Sequence, residues 1–285
     1  MEYTPFTFII SPVFLFDFIA IGGCAGSCSQ VLMEEVGFMF DDAHSKCTKT
    51  IEVAGAMSSS FRMEVKVKMI GEDPGHVQSG QYLWPAARYM ANHLCDVWAD
   101  LGSDRVIELG AGCGLVGLTA ARLPNARSIV LTDYDPGSCK LLQENIELNS
   151  TSTSSSCIVE DLTWGDIAAA KTLVKKHGGE FHLVVGSDLI YSRDVIKPLL
   201  TTVANVLSIE GIFALASSFD IGIESTNFFN AMAKELGLTI TDIAPLSADS
   251  TKLQYITKES VFDCVYEEMM KKKEEKDRNA ATSLL

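Results

Sequence analysis

The 285-residue chain lacks the marks of several protein classes. It has only 8 prolines, and 47% of its residues are hydrophobic against 21% charged, which excludes a wholly disordered chain, a collagen and a long coiled coil. Basic residues are scarce: 23 Lys and Arg face 37 Asp and Glu, giving a formal charge of −14. Such a chain is repelled by a phosphate backbone, so no nucleic-acid partner is expected, and a basic partner is attracted. Metal-binding spacings are missing. The 5 histidines fit none, and among the 8 cysteines only Cys24 and Cys28 lie close together, without a second pair or a nearby His. A metal-free site and reduced thiols in a cytoplasmic protein are expected. No apolar run reaches the ~20 residues of a spanning helix. Residues 6–21 are hydrophobic, but Pro12 and Asp17 interrupt them and no positive charge precedes them. Neither a membrane span nor an export signal is expected, and residues 1–47 read as an extension, hydrophobic and then irregular. Residues 271–285 form a charged tail, with a nuclear address as the lesser reading of its lysines.

The remainder, 48–270, is patterned as one α/β domain with a leading hairpin. Residues 48–56 and 61–69 alternate, with Met63, Val65, Val67 and Met69 on one face and Glu64, Lys66 and Lys68 on the other. A helical stripe follows over 83–98, with Pro85 in its first turn. Strands at 105–109, 128–132, 157–159, 181–187 and 211–216 then alternate with helices at 115–122, 136–148, 167–176, 193–207 and 224–236. Regular alternation of this kind predicts a parallel sheet with helices on both faces, and the strands are short apolar runs, as buried parallel strands are.

The chemistry concentrates where the first of those strands ends. Glu108 and Leu109 lead into Gly110-Ala111-Gly112-Cys113-Gly114, a glycine loop that opens a helix. Glycines let backbone approach a ligand closely. Asp133 closes the next strand, where a carboxylate can bind a ribose diol. A nucleoside-containing cofactor follows. Gly112 to Gly117 also fits a dinucleotide fingerprint, but Glu108 beneath the loop would repel a pyrophosphate and suits a cationic group. That electrostatic argument favours S-adenosylmethionine over a nicotinamide dinucleotide.

With these residues in place the chain resembles a class I, seven-strand methyltransferase, and within it methyltransferase family 16, the protein-lysine methyltransferases. The segments carrying the resemblance are Gly80-Gln81-Tyr82-Leu83-Trp84-Pro85-Ala86-Ala87, the glycine loop, Leu131-Thr132-Asp133, Asp161-Leu162-Thr163-Trp164-Gly165 and Asp188-Leu189-Ile190-Tyr191. The resemblance implies a Rossmann-like doubly wound sheet, S-adenosyl-L-methionine as cofactor and a protein substrate with an accessible lysine on a basic surface. It implies that Trp84 lies over the cofactor's methionine end, that Gly110, Ala111 and Gly112 line its amino-acid part, and that Asp133 holds its ribose. Trp164 would contact the adenine and Ser187 would sit beside the cofactor. Asp188 and Tyr191 would face the transferred methyl group, Asp188 orienting the amine or cofactor and Tyr191 walling the lysine channel. A small-molecule or other side-chain methyltransferase of the same fold and a non-catalytic cofactor-binding member are the alternatives. Ser217-Ser218-Phe219-Asp220 departs from the expected pattern, which has a basic residue there in many relatives.

Overall fold

The computed structural model describes residues 46–55, 61–71, 79–101, 104–152, 155–243 and 251–258. The hydrophobic extension before residue 46 and the charged tail after 258 lie outside the described residues. No helix among the described residues is long and apolar enough to cross a membrane.

The hairpin pairs β1 (Lys46–Ala54) with β2 (Arg62–Ile70) in antiparallel register, Thr50 opposite Lys66 and Thr48 opposite Lys68. Its odd-numbered residues turn inward: Val53, Val65 and Val67 are fully buried, whereas Glu52, Glu64 and Lys66 are exposed. A 3-10 turn, Ser79–Gln81, leads to α1 (Pro85–Leu101). Then come β3 (Arg105–Glu108), α2 (Leu115–Ala120), β4 (Ser128–Asp133), α3 (Pro136–Asn149) and β5 (Ser156–Asp161). The second half holds α4 (Ile167–Lys176), β6 (Phe181–Ser187), α5 (Ile196–Val206), β7 (Leu207–Ser217), α6 (Gly222–Glu235), β8 (Leu238–Ile243) and β9 (Lys252–Lys258).

Strands β3 to β9 form a seven-stranded sheet in the order β5-β4-β3-β6-β7-β9-β8. Its first five strands are parallel. These are the strands that βα alternation predicts; beyond them β9 runs antiparallel to both β7 and β8. Alternate strand residues feed two cores. Val106, Ile129, Leu183 and Ala214 pack toward the hairpin, α1, α2 and α3. Ile107, Val130, Val184 and Phe213 pack toward α4, α5 and α6. The result is the three-layer, doubly wound architecture that βα alternation demands.

One detail of α3 departs from its sequence pattern. Its apolar stripe of Leu141, Leu142, Ile146 and Leu148 predicts those side chains inward; Leu141 and Leu142 are buried, but Leu148 is 42% exposed while Asn145 and Asn149 are enclosed. Asn145 accepts from Lys68 N at 2.7 Å and donates to Lys68 O at 2.9 Å. Asn149 does the same for Lys66, at 3.2 and 2.7 Å. Four helical residues rise about 6 Å, close to the ~6.8 Å that two antiparallel strand residues span. Two side-chain amides one turn apart therefore stand in for a neighbouring strand along β2.

Candidate active site

Sheet order reverses at β3: β4 and β5 continue to one side, β6 and β7 to the other. In open α/β sheets ligands bind at such a point, beyond the carboxyl ends of the strands. The glycine loop lies there. Gly110, Gly112 and Gly114 have φ of 56°, 51° and 79°, the left-handed region that other residues avoid. Space enforces the same choice. A Cβ on Gly110 would meet Leu189 and the Trp164 ring at 2.8 and 2.9 Å, and one on Gly112 would meet Gly80 O at 2.6 Å. Segment Ser79–Gln81 is thus seated directly on the loop, a contact the sequence did not announce.

Asp133 ends β4 at this loop, 6% exposed. Its Oδ2 accepts from Gly112 N at 3.0 Å and its Oδ1 from Asp135 N at 3.0 Å. Burial raises its pKa, while these backbone donors oppose the rise. Each oxygen keeps lone pairs beyond the bond it accepts, so the carboxylate is oriented and still able to receive hydroxyl donors.

Glu108 behaves otherwise. It is 2% exposed, and its Oε2 accepts from Gly117 N at 2.8 Å, in the first turn of α2. Gly114, the residue before that helix, is left-handed and offers no side-chain cap. Glu108 supplies the missing acceptor from the neighbouring strand. Burial pushes its carboxyl up to about 8, with the Gly117 bond opposing and Asp133 adding to the rise. Burial therefore favours its protonated form, and the bond to Gly117 N makes Glu108 a group that secures the loop.

A family model described as lysine methyltransferase matches residues 63–235, more than half of the chain. The chain belongs to this family. Mouse protein N-lysine methyltransferase METTL21A is 33% identical over 135 residues, which is 47% of this chain and 58% of that protein. Candida glabrata protein N-terminal and lysine N-methyltransferase EFM7 is 30% identical over 193 residues, 64% of this chain and 72% of that protein. The EEF1A lysine methyltransferase 3 of Xenopus tropicalis is 24% identical over 180 residues, 61% of this chain and 69% of that protein. The chain spans 58% of the METTL21A lengths from mouse and Danio rerio.

Lysine methyltransferase membership implies S-adenosylmethionine as methyl donor, and the residues fit it. A Cβ-free cradle faces Asp133, with Trp164 against Gly110 on one side. Trp84, half-buried, donates from Nε1 to Ser79 O at 2.9 Å and meets the Tyr82 ring edge-on, with centroids 5.2 Å apart. It therefore holds the Ser79–Gln81 turn in place. Ser187, half-buried, ends β6 beside Ala216 of β7. Ala111 is 7% exposed, its N–H bonded to Thr132 O at 2.8 Å.

Asp188 requires correction. Its carboxylate does not face an open channel. Oδ2 accepts from Ala86 N at 3.0 Å, in the first turn of α1, and Oδ1 accepts from Ser218 N at 2.7 Å. The Ser218 hydroxyl lies 3.0 and 2.8 Å from the two oxygens. At φ 52° and 8% exposure, Asp188 is a strained, buried clasp between α1 and the end of β7. Ser218 was missed because its partner lies 30 residues away, and the departure at 217–220 hid a hydroxyl suited to this acid. Tyr191 stays at the rim, 61% exposed, with Tyr134 at 64%. Partial burial, then Tyr134, then Asp133 raise the Tyr191 pKa, so the phenol keeps its proton at neutral pH. Among the described residues no cluster of His, Cys, Asp and Glu could hold a metal ion.

Proposed function

We propose that the chain methylates a lysine side chain of a protein substrate, using S-adenosylmethionine. What supports the reading most is the trio of left-handed glycines at the sheet's switch point, covered by Gly80 and faced by Asp133, in a lysine methyltransferase family chain. When bound, S-adenosylmethionine supplies an electrophilic methyl group on a sulfonium. Gly110 to Gly112, Asp133, Trp164 and Trp84 would hold it.

The chain's own task is to present a neutral amine in line. A free lysine has a pKa of about 10.4, so only about one in 10³ is neutral near pH 7.4. Neither nearby carboxylate suits proton removal: Asp188 is taken up by Ala86 and Ser218, and Asp133 would be engaged by the ribose hydroxyls. Desolvation against the aromatic rim of Tyr134 and Tyr191 lowers the amine pKa instead, and alignment does the rest. The net charge of −14 supports a basic substrate surface. Five free cysteines among the described residues agree with a cytoplasmic setting.

The test incubates purified chain with tritiated S-adenosylmethionine and clarified lysate, resolves the products by size and maps methyl-lysine by mass spectrometry. A labelled protein carrying methyl-lysine is the expected result. Label confined to small molecules would replace the reading with the small-molecule alternative. Tyr191→Ala, which removes part of the aromatic rim, should lower turnover about tenfold, the change in neutral amine that one pKa unit brings, while S-adenosylhomocysteine affinity holds and Tyr191→Phe stays near wild type.

A further inference from the structure

The fold treats the two edges of its hairpin unequally. Along β2, Asn145 and Asn149 occupy the outward backbone groups of Lys68 and Lys66. Since those residues turn their polar groups away from β1, their partners Thr48 and Thr50 turn theirs away from β2. Glu52 and Ala54 share that parity, and Ala54 N reaches Asn92 Oδ1 of α1 at 3.1 Å. Among the described residues, no backbone partner faces Thr48, Thr50 or Glu52 on this side, and all three are exposed. An unblunted edge of this kind is a template for another strand.

Next to that edge, between β1 and α1, lies a cavity of about 580 Å³. Ile51, Met69, Tyr82, Trp84 and Tyr89 give it apolar and aromatic walls. His93 also lines it, 3% exposed, with Nε2 2.6 Å from Tyr255 Oη and with Nδ1 lacking any hydrogen-bond partner. The volume falls in the range of ligand sites, and Lys49, Arg88, Asn92 and Asp96 add a charged and polar side to the apolar walls. Pro85 lines it too, and the next amide, Ala86 N, is the one Asp188 holds. Its lining thus runs from Lys49 and Ile51 of β1 to Trp84 and Pro85, which lead from the turn over the glycine loop to the amide that Asp188 holds.

We propose that an extended segment of the protein substrate, flanking the methylated lysine, adds as a strand to the free edge of β1 and lowers alternate apolar side chains into this cavity. Backbone bonds to Thr48, Thr50 and Glu52 supply affinity, and the cavity supplies selectivity. A second copy of this chain does not fill the space, because its own inward β1 side chains are engaged in its own fold, Val53 fully buried and Cys47 and Ile51 half-buried. The inference rests on the lysine-methylation reading.

Two measurements on the full chain decide it. Amide exchange is followed first, on protein with S-adenosylhomocysteine alone. Thr48, Thr50 and Glu52 should exchange fast; protection would show the edge already covered, by the chain itself or by a second copy, and would overturn the proposal. Methyl transfer to lysate protein is then compared among wild type, Thr50→Pro and Thr50→Val. Proline at an outward-facing position removes that donor and leaves the ladder to β2 intact. Transfer by Thr50→Pro should fall about tenfold, the worth of one such bond, with S-adenosylhomocysteine affinity unchanged and Thr50→Val at wild-type level. Equal transfer by wild type and Thr50→Pro would overturn the proposal. Should Thr50→Pro fail to bind S-adenosylhomocysteine, Thr48→Pro, of the same parity, takes its place. If wild type binds S-adenosylhomocysteine but labels no protein, lysine methylation itself has failed and the proposal falls with it.

Discussion

Two buried acids set the local chemistry of this site, and both act on backbone. Glu108 caps the first turn of α2 from a neighbouring strand. Glu108→Ala would leave Gly117 N–H enclosed without a partner and should lower stability by about 1–3 kcal/mol in urea unfolding. Below about pH 4.5, where the wild-type acid holds its proton folded or unfolded, Glu108→Gln keeps the acceptor and should stay within about 1 kcal/mol of wild type. The pH profile should separate the two forms. The folded-state pKa of about 8 lies above the ordinary 4.5, so between these values the native state binds more protons than the unfolded chain. Stability therefore falls as pH rises from 4.5 toward about 8 and levels off beyond, and Glu108→Gln should lack this fall. Asp188→Ala should cost about 2 kcal/mol through the lost cap on α1 and reduce turnover more than S-adenosylhomocysteine affinity. Undiminished turnover in that variant would remove Asp188 from any positioning role. None of this could be seen in the sequence alone. An acid below a glycine loop reads as a charge until its burial is known, and a D-x-x-Y pattern does not disclose that Ala86 and Ser218 meet the aspartate.

At the level of elements, Asn145 and Asn149 join α3 to β2. Asn145→Ala removes the bonds to both Lys68 backbone groups and to Cys113 O. It should speed amide exchange at Lys66 and Lys68 while leaving β3 and β4 protected, as read by hydrogen-exchange mass spectrometry. The parallel strands were legible because a strand buried on both faces is a short, unbroken apolar run, as Val106-Ile107 and Val184-Val185 are. Strands β8 and β9 were not. Residues such as Thr239, Asp242, Lys252 and Gln254 lie in strands but mix polar and apolar side chains, and nothing local announces a reversal of direction. The same blindness applied to α3, where an apolar stripe predicted Leu148 inward although two amides were the buried groups.

For the whole molecule, the cofactor site draws on pieces far apart in the chain: Gly80, the glycine loop, Asp133, Trp164 and the Asp188 clasp. Ligand binding there should therefore stabilise global unfolding, not one lobe of it. S-adenosylhomocysteine at a hundred times its Kd should add about 2.7 kcal/mol, seen as a single shifted thermal transition, whereas NAD at the same concentration should shift nothing. The candidate site could be placed at the strand ends because clustered glycines followed by strand-end acids stand out in a sequence. Which group touches which was not, since every contact above joins residues that only folding brings together. The paired asparagines also limit how this chain can evolve. A single inserted residue between them would rotate the second amide by about 100°, off the strand it imitates, while the loops on either side could lengthen freely; helix pitch here acts as a gauge that fixes where the hairpin can sit.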